Sequence, residues 1–156
     1  MKKLILLLLA VSYLQSGFGQ SKSVEALYQK YKSSEDFFHL DLGGNFLGLA
    51  KSFNVSLNEA DKKKISQSME KIRLIKIPGS ATVLSTEFNA LKKSLERERF
   101  ELMMEAGKRS EGVLIYGKGG TRIKDIVLIV RDEKGELMVI EATGDFDPGL
   151  VSGLGK

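Results

Sequence analysis

From residue 100 to residue 143 the chain reads as four strand-like runs separated by very short links, and this constrains its fold more than any other feature. The runs cover 100–105, 112–117, 123–131 and 137–143, and the links are 107–111, 118–122 and 132–136. Links this short, holding Gly119-Gly120 or Gly135, favour antiparallel hairpins over crossovers. In the third run Ile126, Leu128 and Val130 are expected on one face and Ile123, Val127 and Ile129 on the other. A strand apolar on both faces is central and covered on both sides, or one of its sides is a docking surface.

Upstream, Ile72-Arg73-Leu74-Ile75-Lys76-Ile77 alternates as a strand and Pro78-Gly79 ends it. A helix over about 86–98 follows, with Phe88, Leu91 and Leu95 inward. Ser23 is placed to cap a first helix in which Val24, Leu27, Tyr28 and Tyr31 share a face. Residues 37–42 read as a short strand stopped by Gly43-Gly44. Asn45 then caps a short helix with Phe46, Leu49, Ala50 and Phe53 on one side. Ser56-Leu57-Asn58-Glu59 has the spacing of a capping box, and Asp147-Pro148 opens a last turn or helix. The expected class is therefore α+β, a mainly antiparallel sheet with helices packed on one face. Residues 20–156 form one such domain, since no repeat, linker or low-complexity segment divides them.

Residues 1–19 read as a signal peptide instead of part of the fold. Lys2 and Lys3 precede the apolar run Leu4-Ile5-Leu6-Leu7-Leu8-Leu9-Ala10-Val11, and Gly17 and Gly19 are small residues where a signal peptidase reads. Cleavage is expected before Gln20, because the run is shorter than the ~20 apolar residues that span a bilayer. Losing Lys2 and Lys3 takes the formal charge from +4 to +2. The chain has no cysteine, which excludes disulfides, a thiol nucleophile and a lipid-acceptor cysteine behind the signal. The expected compartment is the periplasm or the exterior, with no integral membrane segment. Lys62-Lys63-Lys64, Lys92-Lys93 and Lys108-Arg109 are basic clusters without interleaved stacking aromatics, so they read as solvated surface and not as a nucleic-acid patch.

This layout resembles the exported proteins of Bacteroidetes known as domain of unknown function 4252. The resemblance rests on the leader, the strand at Ile72–Ile77, the helix with Phe88 and Leu91, and Gly112-Val113-Leu114-Ile115-Tyr116. It continues through Ile123-Lys124-Asp125-Ile126-Val127-Leu128-Ile129-Val130 and Ile140-Glu141-Ala142-Thr143-Gly144-Asp145-Phe146-Asp147, similar to the family's closing strand and Gly-Asp turn. It implies a place in the cell envelope and carries no site residue with it. Many members look like lipoproteins, from which this chain departs by lacking the cysteine.

Candidate chemistries fail on spacing. Gly117-Lys118-Gly119-Gly120-Thr121 lacks the GxxxxGK[ST] pattern and lies between strands, so it reads as a hairpin turn whose glycines supply positive φ. His39, the single histidine, has Asp41 two residues on, facing the same way on a strand, where a carboxylate can orient an imidazole. No GxSxG elbow accompanies it, and a lone histidine cannot supply a two-histidine metal site. Asp145 and Asp147 with Gly149 start like a calcium loop, but the twelfth position is Lys156 and not a bidentate Glu, so Asp147 is expected as a helix cap. Asp125, Asp132, Glu133, Glu136 and Glu141 are expected at strand ends or pointing outward, not as a hydrolytic pair. Asn54-Val55-Ser56 fits a glycosylation sequon, with Ser56 already assigned to a cap.

The expectation is an exported, non-catalytic domain that binds a protein or an envelope component, with no cofactor, no metal and no catalytic residue. The alternatives are a small hydrolase using His39 and nearby carboxylates, or a small-lipid carrier with an apolar cavity between helices and sheet.

Overall fold

The structure, a computed structural model, describes residues 20–43, 63, 67–108, 111–132 and 136–149. The leader, the helix expected from Asn45, the Ser56 capping box, the sequon, Lys62, Lys64, Arg109 and Glu133 lie outside the described residues. Among the described residues, two helices of more than one turn, α1 (Lys22–Tyr31) and α2 (Ala81–Arg97), accompany six strands. The strands are β1 (Phe38–Gly43), β2 (Met69–Ile77), β3 (Glu101–Gly107), β4 (Gly112–Gly119), β5 (Ile123–Arg131) and β6 (Leu137–Phe146). They form one sheet in the order β1-β2-β6-β5-β4-β3, antiparallel at every pairing. The fold is α+β as expected. The hairpins from β3 to β6 run as a meander, and α2 carries the chain from β2 to the far edge.

Both helices pack on one face of the sheet. Val24 and Leu27 from α1, and Leu84, Leu91 and Leu95 from α2, join Ile75, Ile77, Leu114, Tyr116, Val127, Ile129, Leu137 and Val139 in the main core. The stripe expected on α1 holds, with Tyr28 and Tyr31 packed against that core. Its cap is Ser21, not Ser23: the Ser21 hydroxyl accepts from the N–H groups of Ser23 and Val24, both at 3.2 Å. Ser23 instead turns its own N–H to the carboxylate of Glu98 at 2.7 Å, a contact no local pattern contains.

α2 begins five residues earlier than its periodicity suggests. Thr82, Val83, Ser85 and Thr86 are modest helix formers. The Ser80 cap and the burial of Leu84 nevertheless carry the helix through them. Its end is a Schellman motif: Phe100 N–H bonds Leu95 C=O at 3.0 Å and Arg99 N–H bonds Glu96 C=O at 3.0 Å. Arg99 takes the left-handed conformation there, with φ of 67°. Leu95 and Phe100 then meet in the core.

Two departures concern strand geometry. A register shift between Ile123 and Asp125 moves Ile123 onto the face of Ile126 and Leu128, so it does not follow Val127 and Ile129. β6 runs on through Gly144 and Asp145 to Phe146, where a Gly-Asp turn is expected from the family resemblance. A Cβ on Gly144 would overlap the backbone carbonyl of Ser68, so glycine there admits the incoming end of β2. In the β4–β5 hairpin neither Gly119 nor Gly120 has positive φ. Gly119 is needed because a Cβ would strike the Arg122 carbonyl.

Candidate interaction face and the buried carboxylates

The second face of the sheet is mostly apolar, with Lys76 on it. Cross-strand pairing sets Leu40 beside Leu74, Leu74 beside Ile140, Ile140 beside Leu128, Leu128 beside Ile115, and Ile115 beside Met104. One row of aliphatic and thioether side chains therefore crosses all six strands. Ile72, Ala142 and Ile126 form a parallel row, and Lys76, Met138, Val130 and Val113 another. The smaller core cluster, Ile115, Ile123, Ala142 and Phe146 with Ile72, Ile126 and Leu128 against it, contains strand residues alone. Neither described helix contributes to it. At the β1 edge of this face Phe38 is 52% exposed.

The helix-covered face holds the buried charged groups. Arg73 is buried in phase with Ile75 and Ile77 and meets Asp41 through Nε at 2.9 Å and Nη2 at 3.3 Å, and Glu25 through Nη1 at 2.5 Å. These hydrogen bonds outweigh the burial of the guanidinium and hold it cationic. Gln29 and Arg73 together keep the Glu25 carboxyl below its ordinary range. His39 stacks on Phe37 at 5.9 Å and meets Tyr28 edge-on at 5.4 Å. No hydrogen bond joins His39 to Asp41. The histidine joins an aromatic group, and the aspartate is the counter-ion of Arg73.

Asp125 and Glu141 overturn the expectation that the acids sit outward or at strand ends. They lie on adjacent central strands with 7% and 2% exposure, on the face where α1 begins. Glu141 Oε1 accepts from Ser21 N–H at 2.5 Å. Burial pushes its carboxyl up to about 7, against the pull of Ser21, Arg73 and Lys71 and with a further push from Asp125. Burial likewise raises Asp125, partly offset by Lys118, and its Oδ1 has no hydrogen-bond partner. The pattern did contain this signal: Glu141 is in phase with Leu137 and Val139, and Asp125 with Val127 and Ile129. Of the other acids, Asp132 caps the Glu136 N–H at 2.8 Å and Glu136 pairs with Lys76 at 2.6 Å.

The remaining candidates are structural. Asp145 is bonded by Arg122 at 2.7 Å and Lys124 at 2.5 Å, which holds its carboxyl low. Asp147 Oδ1 accepts the Gly149 N–H at 2.8 Å, the cap expected for it. Among the described residues no three acids or histidines converge as metal ligands. A cleft of about 310 Å³ lies between α1 and α2, lined by Ala26, Ala90 and Leu91 together with Lys22, Lys30 and Glu87. A second, of about 490 Å³, lies between α2 and the β3–β4–β5 end and is rimmed by Lys92, Glu105, Lys108, Glu111 and Arg131. No described helix is long and apolar enough to cross a membrane.

Comparison with curated proteins and with solved structures finds no significant match. A family match covers residues 31–154, which takes in all six strands and α2. The chain belongs to the family described as Domain of unknown function (DUF4252).

Proposed function

We propose that this chain is an exported, non-catalytic domain that binds another protein of the cell envelope through the second face of its sheet. The observation that carries this is the uninterrupted apolar row from Leu40 through Leu74, Ile140, Leu128 and Ile115 to Met104. Neither described helix packs on it, its residues are buried or half-buried, and an apolar sheet face of this kind has to be covered by another element or a partner. The charged groups support the same reading. His39 and Asp41 are separately engaged, Glu141 is buried against the Ser21 N–H ahead of α1, and Asp125 is buried on the neighbouring strand. The two lysines, apolar run and small residues ahead of Gln20 support export.

The test is capture of partners from envelope extract by the chain starting at Gln20, compared with Leu128→Glu and Leu40→Glu variants that keep their circular dichroism. The expected result is a discrete partner lost with both variants. Equal capture by wild type and variants would remove the face from the reading. A hydrolytic activity abolished by Glu141→Gln would replace binding with catalysis.

A further inference from the structure

The start of α1 is surrounded by more carboxylate than local cation. Glu141 accepts the Ser21 N–H at 2.5 Å, and Glu98 accepts those of Lys22 at 2.9 Å and Ser23 at 2.7 Å. Asp125 is a third acid: it pairs with Thr143, two residues from Glu141 on the same face, which makes the two carboxylates diagonal neighbours. Asp125 is 7% exposed, and its Oδ1 lacks any hydrogen-bond donor. Of the cations nearby, Lys71 acts on Glu141 through space without a hydrogen bond to it, and the other two are engaged by further partners. Arg73 is divided between Asp41 and Glu25, and Lys118 stands over the Phe100 ring at 5.3 Å. A buried, unpaired carboxylate calls for a donor or a positive charge.

We propose that Glu141 and Asp125 are the receptor for the α-amino group that cleavage before Gln20 releases, so that processing completes an ion pair beneath α1. This rests on the export reading above. Hydrolysis of the Gly19–Gln20 bond by a signal peptidase adds water across it. The carbonyl carbon of Gly19 takes the oxygen, and the Gln20 nitrogen keeps the bonding electron pair and becomes an ammonium. Covalent geometry holds that nitrogen within about 4 Å of the Ser21 nitrogen. It therefore lies within about 6.5 Å of the Glu141 carboxylate that Ser21 already touches. In the uncleaved chain the same nitrogen is a neutral amide and supplies no charge. The folded domain thus distinguishes a processed start from an unprocessed one by the charge at Gln20.

The experiment compares the chain beginning at Gln20 with the same chain extended by two glycines. Each is prepared with native carboxylates and as Glu141→Gln with Asp125→Asn. The Gln20-start chain is expected to melt about 4 °C higher at pH 7 than the extended one, and the gap is expected to close in the double variant. Gln20→Ala, which cannot cyclise its amine away, should keep the gap. Equal melting of the two starts, or a gap that persists without the two acids, overturns the receptor and leaves the export reading standing. N-terminal sequencing of the protein recovered from its native host is expected to begin at Gln20. A different first residue overturns the cleavage reading, and the proposal with it, whatever the melting data show.

Discussion

Arg73 on β2 and Asp41 on β1 are directly opposed across the strand pair, and the guanidinium grips the carboxylate with two nitrogens while its third holds Glu25 of α1. One buried side chain thus ties the edge strand and the first helix to the sheet. Its ring-ward face lies 5.0 Å from the centre of Tyr28, which adds a cation–π contact.

Replacing this side chain should loosen both elements together. Arg73→Ala is expected to cost about 2 kcal/mol, the range for hydrogen bonds to charged groups, discounted because Glu25 and Asp41 are more than a third exposed and can rehydrate. Arg73→Lys should recover only part of this, since an ammonium cannot bridge two carboxylates as a planar fork does. Denaturant midpoints measure both. A loss under about 0.5 kcal/mol for the alanine variant would show that the tie is dispensable.

Glu141 makes stability depend on pH in an unusual direction for an acid. Its carboxyl sits at about 7 in the folded chain against 4.5 when unfolded, so between those values the folded state holds the extra proton. In the chain that keeps residues ahead of Gln20, stability should therefore fall as pH rises from about 4.5 to 7 and level off above, by on the order of 3 kcal/mol in all. Asp125, also raised by burial, acts in the same direction. Glu25, which is lowered, acts oppositely and at more acid pH, losing its contribution as pH falls. Melting curves from pH 4.5 to 8 should show the decline in the wild type and a flatter profile in Glu141→Gln. A wild-type midpoint that rises across this window would contradict the assignment.

The two faces of β5 should respond differently to truncation. Ile129, fully buried under the helices, is expected to cost about 3 kcal/mol as Ile129→Ala. Leu128, its neighbour on the opposite face, is half-buried and should cost about half as much as Leu128→Ala. Equal losses would mean that the second face is as tightly packed as the first.

Arg99 offers a stabilising change. An arginine in the left-handed region carries a steric cost that glycine avoids, and its N–H bonds to Glu96 whatever its side chain. Arg99→Gly is expected to stabilise by about 0.5–1 kcal/mol, part of the steric gain being offset by the freer unfolded chain. A destabilised variant in thermal melts would show that the side chain itself holds the α2 terminus.

Periods of two and short glycine-bearing links carried the meander, because hairpin connection and face alternation are local properties of a few consecutive residues. The β5 boundaries came directly from that pattern. The same alternation already put Arg73, Asp125 and Glu141 in phase with the core, yet the chemistry of charged side chains argued for placing the acids outside. What removed them from water was the position of α1, whose N-terminal N–H groups meet Glu98 from the end of α2 and Glu141 from β6. Those partners are separated by 75 or more residues, so no window along the chain can contain them. Helix caps and strand faces are settled by near neighbours. Which carboxylate is buried, and what it is buried against, is settled by distant segments brought together when the core closes.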